Sequence, residues 1–175
     1  MSPAKRIATA AVTAALLAGS PGLATAATPQ TGPPAQQTEQ WHRFRIYPPP
    51  NLPARDLDVD SGGRAVVSAP EAGSERQQWS LSTTGGLPLI KNRATGTCLT
   101  APNDTQDPVT VQACDTNNPN QRWDVHYVTS GQVEISPRNH LDLALTGSAQ
   151  AGSSRVVLRP YAAQDDQQWF LRSVT

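Results

Sequence analysis

An all-β domain built from one unit repeated three times is predicted by two observations. Gln77-Gln78-Trp79, Gln121-Arg122-Trp123 and Gln167-Gln168-Trp169 share one form, with tryptophans 44 and 46 residues apart, the signature of a structural repeat. Past the N-terminal stretch, no segment sustains a 3.6-residue apolar period. Gly, Pro, Asn and Asp interrupt the chain every ten residues or so, as in a domain of many short strands.

The chain opens with Lys5 and Arg6, an apolar small-residue run from Ile7 to Gly19, and Ala24-Thr25-Ala26. That is the grammar of a secretory signal peptide, assigned to residues 1–26. The apolar run of 13 residues is too short for a membrane span, which needs roughly 20, and no later segment qualifies. Residues 27–40, rich in Pro, Gln and Thr, read as a disordered linker. Residues 41–175 are the length of one ordinary domain, with repeats at roughly 41–83, 84–126 and 127–175.

Removal of Lys5 and Arg6 leaves 12 basic against 14 acidic residues, with no basic run interleaved with aromatics. A nucleic-acid partner is therefore not expected. Cys98 and Cys114 are the only cysteines, and in an exported protein such a pair is expected to form a disulfide.

Within each repeat, Gln-x-Trp leads into a strand. Trp79 and Leu81, then Trp123, Val125 and Tyr127, then Trp169 and Leu171 are expected inward, with Ser80, Asp124 and Phe170 on the opposite face. An earlier strand is expected at Ala65 to Ser68, Val109 to Ala113 and Arg155 to Leu158, and a first strand with a tight turn at Leu89 to Gly96. One such unit cannot bury its apolar face alone, so the three must close on a shared core. Residues two apart on a strand share a face. Trp79, Trp123 and Trp169 are thus expected as core, and each Gln as a buried amide that hydrogen-bonds loop backbone.

The segment Thr95-Gly96-Thr97-Cys98-Leu99-Thr100, then Val109 to Cys114, then Asn120-Gln121-Arg122-Trp123 resembles one repeat of the ricin B-type lectins. Asp56-Leu57-Asp58-Val59 with Gln77-Gln78-Trp79, and His140-Leu141-Asp142-Leu143 with Gln167-Gln168-Trp169, look like its siblings. The resemblance covers essentially the whole body and implies a β-trefoil, a three-fold barrel and cap of twelve strands, with carbohydrate binding as the default activity.

The family's pocket takes an Asp two residues after the first Cys position, an aromatic two before the second Cys position, and an Asn before Gln-x-Trp. Carried over, the first repeat keeps Asp58 but has Ala69 and Arg76. The second keeps Asn120, with Thr100 and Gln112. The third keeps Asp142, with Arg159 and Asp166. Every pocket lacks its stacking platform.

The candidate carbohydrate-binding residues are Asp142, Arg159, Asp166 and Gln167 first, then Asp58 and Gln77, then Asn120 and Gln121. Tyr161 falls at the second cysteine position of the third repeat, and His140 at the first, where it reads as a packing substitute. Asp142 and Asp166 offer carboxylates for vicinal hydroxyls, and the flat guanidinium of Arg159 suits a ring face or an acidic sugar.

Asp56 to Gly62 fails as a calcium loop, because its Gly comes one position late and Val67 stands where a Glu is required. No metal or other cofactor is expected. His42, His126 and His140 are scattered and no catalytic motif is present, so no enzyme is expected. The function expected is that of a secreted, non-catalytic, lectin-like protein with degenerate pockets, whose partner is an extracellular glycan or polysaccharide. The rival is a trefoil that has lost sugar binding and meets a protein ligand through loops such as Pro48-Pro49-Pro50-Asn51, for example as a protease inhibitor.

Overall fold

The computed structural model describes residues 39–47, 53–83, 86–129, 131–148 and 154–174, all within one unit spanning 37–175. The expected signal peptide, nearly all of the linker and the Pro48–Asn51 run lie outside the described residues.

Each repeat contributes four strands. The first holds β1 (Trp41–Ile46), β2 (Arg55–Val59), β3 (Ala65–Ser68) and β4 (Trp79–Ser82). The second holds β5 (Leu89–Asn92), β6 (Cys98–Thr100), β7 (Thr110–Gln112) and β8 (Trp123–Thr129). The third holds β9 (Gln132–Pro137), β10 (Leu143–Gly147), β11 (Val156–Pro160) and β12 (Trp169–Ser173). The first and last strand of each repeat form a ring in the order β5-β4-β1-β12-β9-β8. A bond from the Trp123 N–H to the Pro88 carbonyl, 3.1 Å, links its two ends.

The inner strands form three hairpins, β2–β3, β6–β7 and β10–β11. Backbone bonds tie these to one another: Ala65 N to Val109 O at 2.9 Å, Val67 N to Ser154 O at 2.7 Å, and Val109 N to Val156 O at 3.0 Å. The arrangement is a β-trefoil.

Trp79, Trp123 and Trp169 are fully buried in one cluster with Phe44, Ile46 and Ile135. Each indole N–H donates to a leucine carbonyl of its own repeat, Leu57, Leu99 and Leu145, at 3.0, 2.9 and 2.8 Å. A large apolar ring with one satisfied donor is what an interior accepts at low cost. Where the core narrows, Gly147 takes the place of a larger residue: a Cβ there would lie 2.9 Å from Ile46 Cδ1 and from Val67 Cγ1.

Two expectations about facing are corrected. Tyr127 is 62% exposed, because β8 there pairs only with β9 and carries an irregularity between Tyr127 and Thr129. Ser80 is buried, with its hydroxyl donating to Glu39 Oε1 at 2.6 Å. The Cys98–Cys114 disulfide is formed.

Candidate functional site

The hydrogen bonds of the three buried glutamines define equivalent positions independently of any alignment. Gln77, Gln121 and Gln167 each accept through Oε1 from one loop amide, of Glu71, Asp115 and Ala162, at 2.9, 2.7 and 2.8 Å. Each donates through Nε2 to one carbonyl, of Ala69, Ala113 and Pro160, all at 2.9 Å. The second Nε2 bond reaches Asp58 Oδ2, Thr100 Oγ1 and Thr146 Oγ1, at 3.1, 3.1 and 3.3 Å. These amides hold the loop after the inner hairpin against the hairpin itself, so they shape the pocket rather than face it.

This equivalence revises the third repeat. The counterpart of Asp58 and Thr100 is Thr146, four residues beyond Asp142. Strand pairing agrees: Ala144 lies opposite Arg159 as Cys98 lies opposite Gln112 and Asp56 opposite Ser68. Ala144, not His140, therefore occupies the first cysteine position, and His140 is exposed instead of packed. In the first repeat the aromatic position falls to Ser68, not Ala69.

Asp142 sits exposed in the turn before β10, where its carbonyl accepts from the Tyr161 N–H at 3.0 Å. A sequence signal for the true register existed. The bonded leucine precedes its tryptophan by 24 residues in both the second and third repeats, a spacing that selects Leu145-Thr146 over Leu141-Asp142.

The first repeat keeps the family's acid but encloses it. Asp58 Oδ1 accepts from the Val59 amide at 2.7 Å and pairs with Arg76 Nε at 3.4 Å. Its Oδ2 takes the Ser68 hydroxyl at 2.5 Å along with Gln77. Arg76 also donates to the Val59 carbonyl.

In the neighbouring position, Asp56 is wholly buried between two arginines of β1. Arg43 Nη1 lies at 3.1 Å, and Arg45 Nε and Nη2 at 2.6 and 2.9 Å. Those bonds hold the Arg45 guanidinium above its already high ordinary pKa. Asp60 likewise serves its own turn, accepting from the amides of Gly62 and Arg64 at 2.8 and 2.9 Å.

In the second repeat, Asn120 is bound on both sides. It donates to Asn103 Oδ1 at 2.7 Å and accepts from Asn139 Nδ2 at 2.6 Å. It borders a hollow of about 490 Å³ that also meets Thr100, Thr110 and Gln112.

The third repeat is open. A cavity of about 780 Å³ lies over the outer face of β10–β11, walled by Thr146, Arg155, Arg159 and Asp166, with Thr105 and Gln106 approaching from a turn of the second repeat. Asp166 Oδ1 is buried away from solvent without a hydrogen-bond partner among the described residues. Burial pushes this carboxyl above the usual aspartate range, offset in part by the bond from its own backbone amide and by the charge of Arg159.

Of the residues anticipated from sequence, Arg159 and Asp166 meet in this cavity, Gln167 supports it from below, and Asp142 does not line it. Thr146, Arg155 and the Thr105–Gln106 wall were not anticipated. The wall comes from another repeat, and no local pattern marks such an approach.

No curated protein matches the chain. The family model of the ricin-type β-trefoil lectin domain-like proteins matches residues 75–145, a stretch with two of the three Gln-x-Trp motifs and both cysteines. Among solved structures, ThreeFoil, a designed three-fold symmetric protein, is 23% identical with a TM-score of 0.62 over 76% of this chain and 99% of its own. The C-half of an earthworm R-type lectin, solved with GalNAc, is 15% identical with a TM-score of 0.59 over 77% of this chain and 99% of its own. A non-toxic homologue of type II RIPs from bitter gourd, Momordica charantia, solved with α-methyl-D-galactoside, is 16% identical with a TM-score of 0.59, over 77% of this chain and 48% of its own. At such identities these likenesses show the fold. The three-fold set of glutamine and tryptophan bonds agrees with that fold, and over residues 75–145 the chain is similar to the ricin-type β-trefoil lectin domains.

Proposed function

We propose that this is an exported, non-catalytic carbohydrate-binding protein whose working pocket lies in the third repeat. The observation that carries this reading is the 780 Å³ cavity lined by the Asp166 carboxylate and two guanidinia together with the hydroxyl and amide side chains of Thr146, Thr105 and Gln106. A carboxylate at the wall of such a cavity accepts from the hydroxyls of a sugar, and guanidinium groups donate to its oxygens. No histidine or cysteine lines the cavity, and its residue set suits holding a polyol better than attacking one.

The fold supports saccharide binding by likeness to proteins solved with GalNAc and a methyl galactoside. Export is supported by the N-terminal sequence and by a disulfide, which persists best in an oxidising compartment. The first two repeats contribute little, since Asp58 and Asn120 are already engaged within the protein.

A broad glycan array probed with the purified protein and with Asp166→Asn tests the proposal. Binding that weakens at least tenfold in the variant is expected. A folded protein that binds no glycan overturns the reading. It would favour a protein partner, for which the exposed Tyr127 and Val128 at the end of β8 are the first apolar contact to try.

A further inference from the structure

Two arginines of the third repeat differ from others earlier in the chain. Arg43, Arg45, Arg64, Arg76 and Arg93 each have a carboxylate partner within 3.4 Å. Arg155 and Arg159 form no ion pair with any described residue, yet both border the one cavity that also holds Asp166.

Arg159 stands on β11, paired with Ala144 of β10, with its side chain exposed. Arg155 enters from the start of the same hairpin, where its backbone bridges to Val66 of the first repeat. Two guanidinium groups and a single carboxylate, that of Asp166, border one concavity, so an anion there gains charge-assisted, bidentate bonds from the arginines. A neutral sugar forgoes those bonds. It also finds no aromatic platform, since Arg159 occupies that position.

We propose that the third-repeat cavity selects an acidic saccharide, one whose carboxylate or sulfate is held by Arg155 and Arg159 while a hydroxyl donates to the Asp166 carboxylate. The inference rests on the reading of this cavity as a saccharide site. The ligand is expected to carry both features, an anionic group for the two arginines and a hydroxyl for the Asp166 carboxylate that lines the same cavity. Thr105 and Gln106 on the facing wall offer further hydrogen bonds to the ring. The planar guanidinium of Arg159 can lie against the ring face where the family places an aromatic.

The test is a panel of uronate, sialylated and sulfated oligosaccharides, each beside its carboxyl-reduced, asialo or desulfated counterpart. The purified protein is compared with Arg155→Gln, Arg159→Gln and Asp166→Asn. Both arginine side chains are exposed, so these variants are expected to keep the wild-type Tm.

At least one acidic member is expected to bind ten-fold or more tightly than its neutral counterpart, and each substitution is expected to weaken it at least ten-fold. Equal binding of acidic and neutral members would overturn the inference while leaving the saccharide reading intact. Acidic binding untouched by both arginine substitutions would overturn it by placing the ligand elsewhere. Failure of every member, acidic and neutral, would overturn both.

Discussion

In the first repeat a carboxylate at the family's sugar-binding position is wrapped by its own protein: Asp58 meets Val59, Ser68, Arg76 and Gln77. In the third repeat the same position is a threonine, yet the space beside it stays open and Asp166 lines it. Keeping the signature residue and keeping a usable pocket are therefore separate properties. The difference traces to what lies opposite. Ser68 and Arg76 are the right size and charge to close over Asp58. Around Thr146 the neighbours are two arginines and one acid, with no ion pair formed among them.

The repeats also differ in how they brace the inner hairpin. At equivalent positions the second repeat has a cysteine in a disulfide, the first has Asp56 clamped by Arg43 and Arg45, and the third has only Ala144. The most damaging way to break this comparison is Asp56→Ala. It strands two partly buried guanidinia and should cost about 3–5 kcal/mol of stability, read by urea unfolding. A loss under 1 kcal/mol would show that the clamp is incidental.

Replacing both cysteines, Cys98→Ala with Cys114→Ala, should cost about 3 kcal/mol for a loop of this length. Comparison of the two losses ranks the ionic brace against the covalent one.

The pockets themselves are sharpened by a matched pair. Asp58→Ala should destabilise by about 2 kcal/mol through unmet partners and leave glycan binding unchanged. Asp166→Asn should leave stability within about 0.5 kcal/mol and weaken binding. The reverse pattern in calorimetry and binding would exchange the roles assigned to the two repeats.

Gly147→Ala, which forces a Cβ to 2.9 Å from Ile46 and Val67, should cost about 1–3 kcal/mol by overpacking. Because Gly147 lies next to Thr146, the same variant should also loosen the third-repeat pocket, visible as weaker binding.

The smallest expected effect concerns pH. The Asp166 pKa is raised on folding, so between the unfolded value, near 3.8, and the folded value the native state holds more protons than the unfolded one. Its contribution to stability is therefore greatest below that window, falls as pH rises through it, and is flat above. Unfolding curves taken across this range should show that decline in the wild type and lose it in Asp166→Asn. An identical slope in both proteins would mean that Asp166 is not the burdened group.

Much of the fold was legible before any coordinate. Tryptophan and glutamine two apart, three times over, are chemically fit for one environment: a large ring for the core and an amide for loop backbone. All six side chains took that place. The disulfide was legible for the same reason, since an oxidised pair has few alternatives.

What failed was register and facing where local chemistry is ambiguous. Leu141-Asp142 and Leu145-Thr146 are both apolar-polar pairs entering a strand, and only the bond from Trp169 to the Leu145 carbonyl separates them. Tyr127 obeys strand alternation but lies on a stretch of β8 paired on one side only, with β9, so alternation no longer means burial.

Sequence alone determined the three-fold unit, its core tryptophans and its one disulfide, because each follows from chemistry repeated or paired within the chain. Tertiary structure alone decided which pocket is open. That outcome depends on Ser68 and Arg76 closing over one acid, and on Thr105, Gln106, Arg155 and Asp166 converging from distant segments around another space. A linear chain does not carry the distances that make one set of polar side chains a plug and another a site.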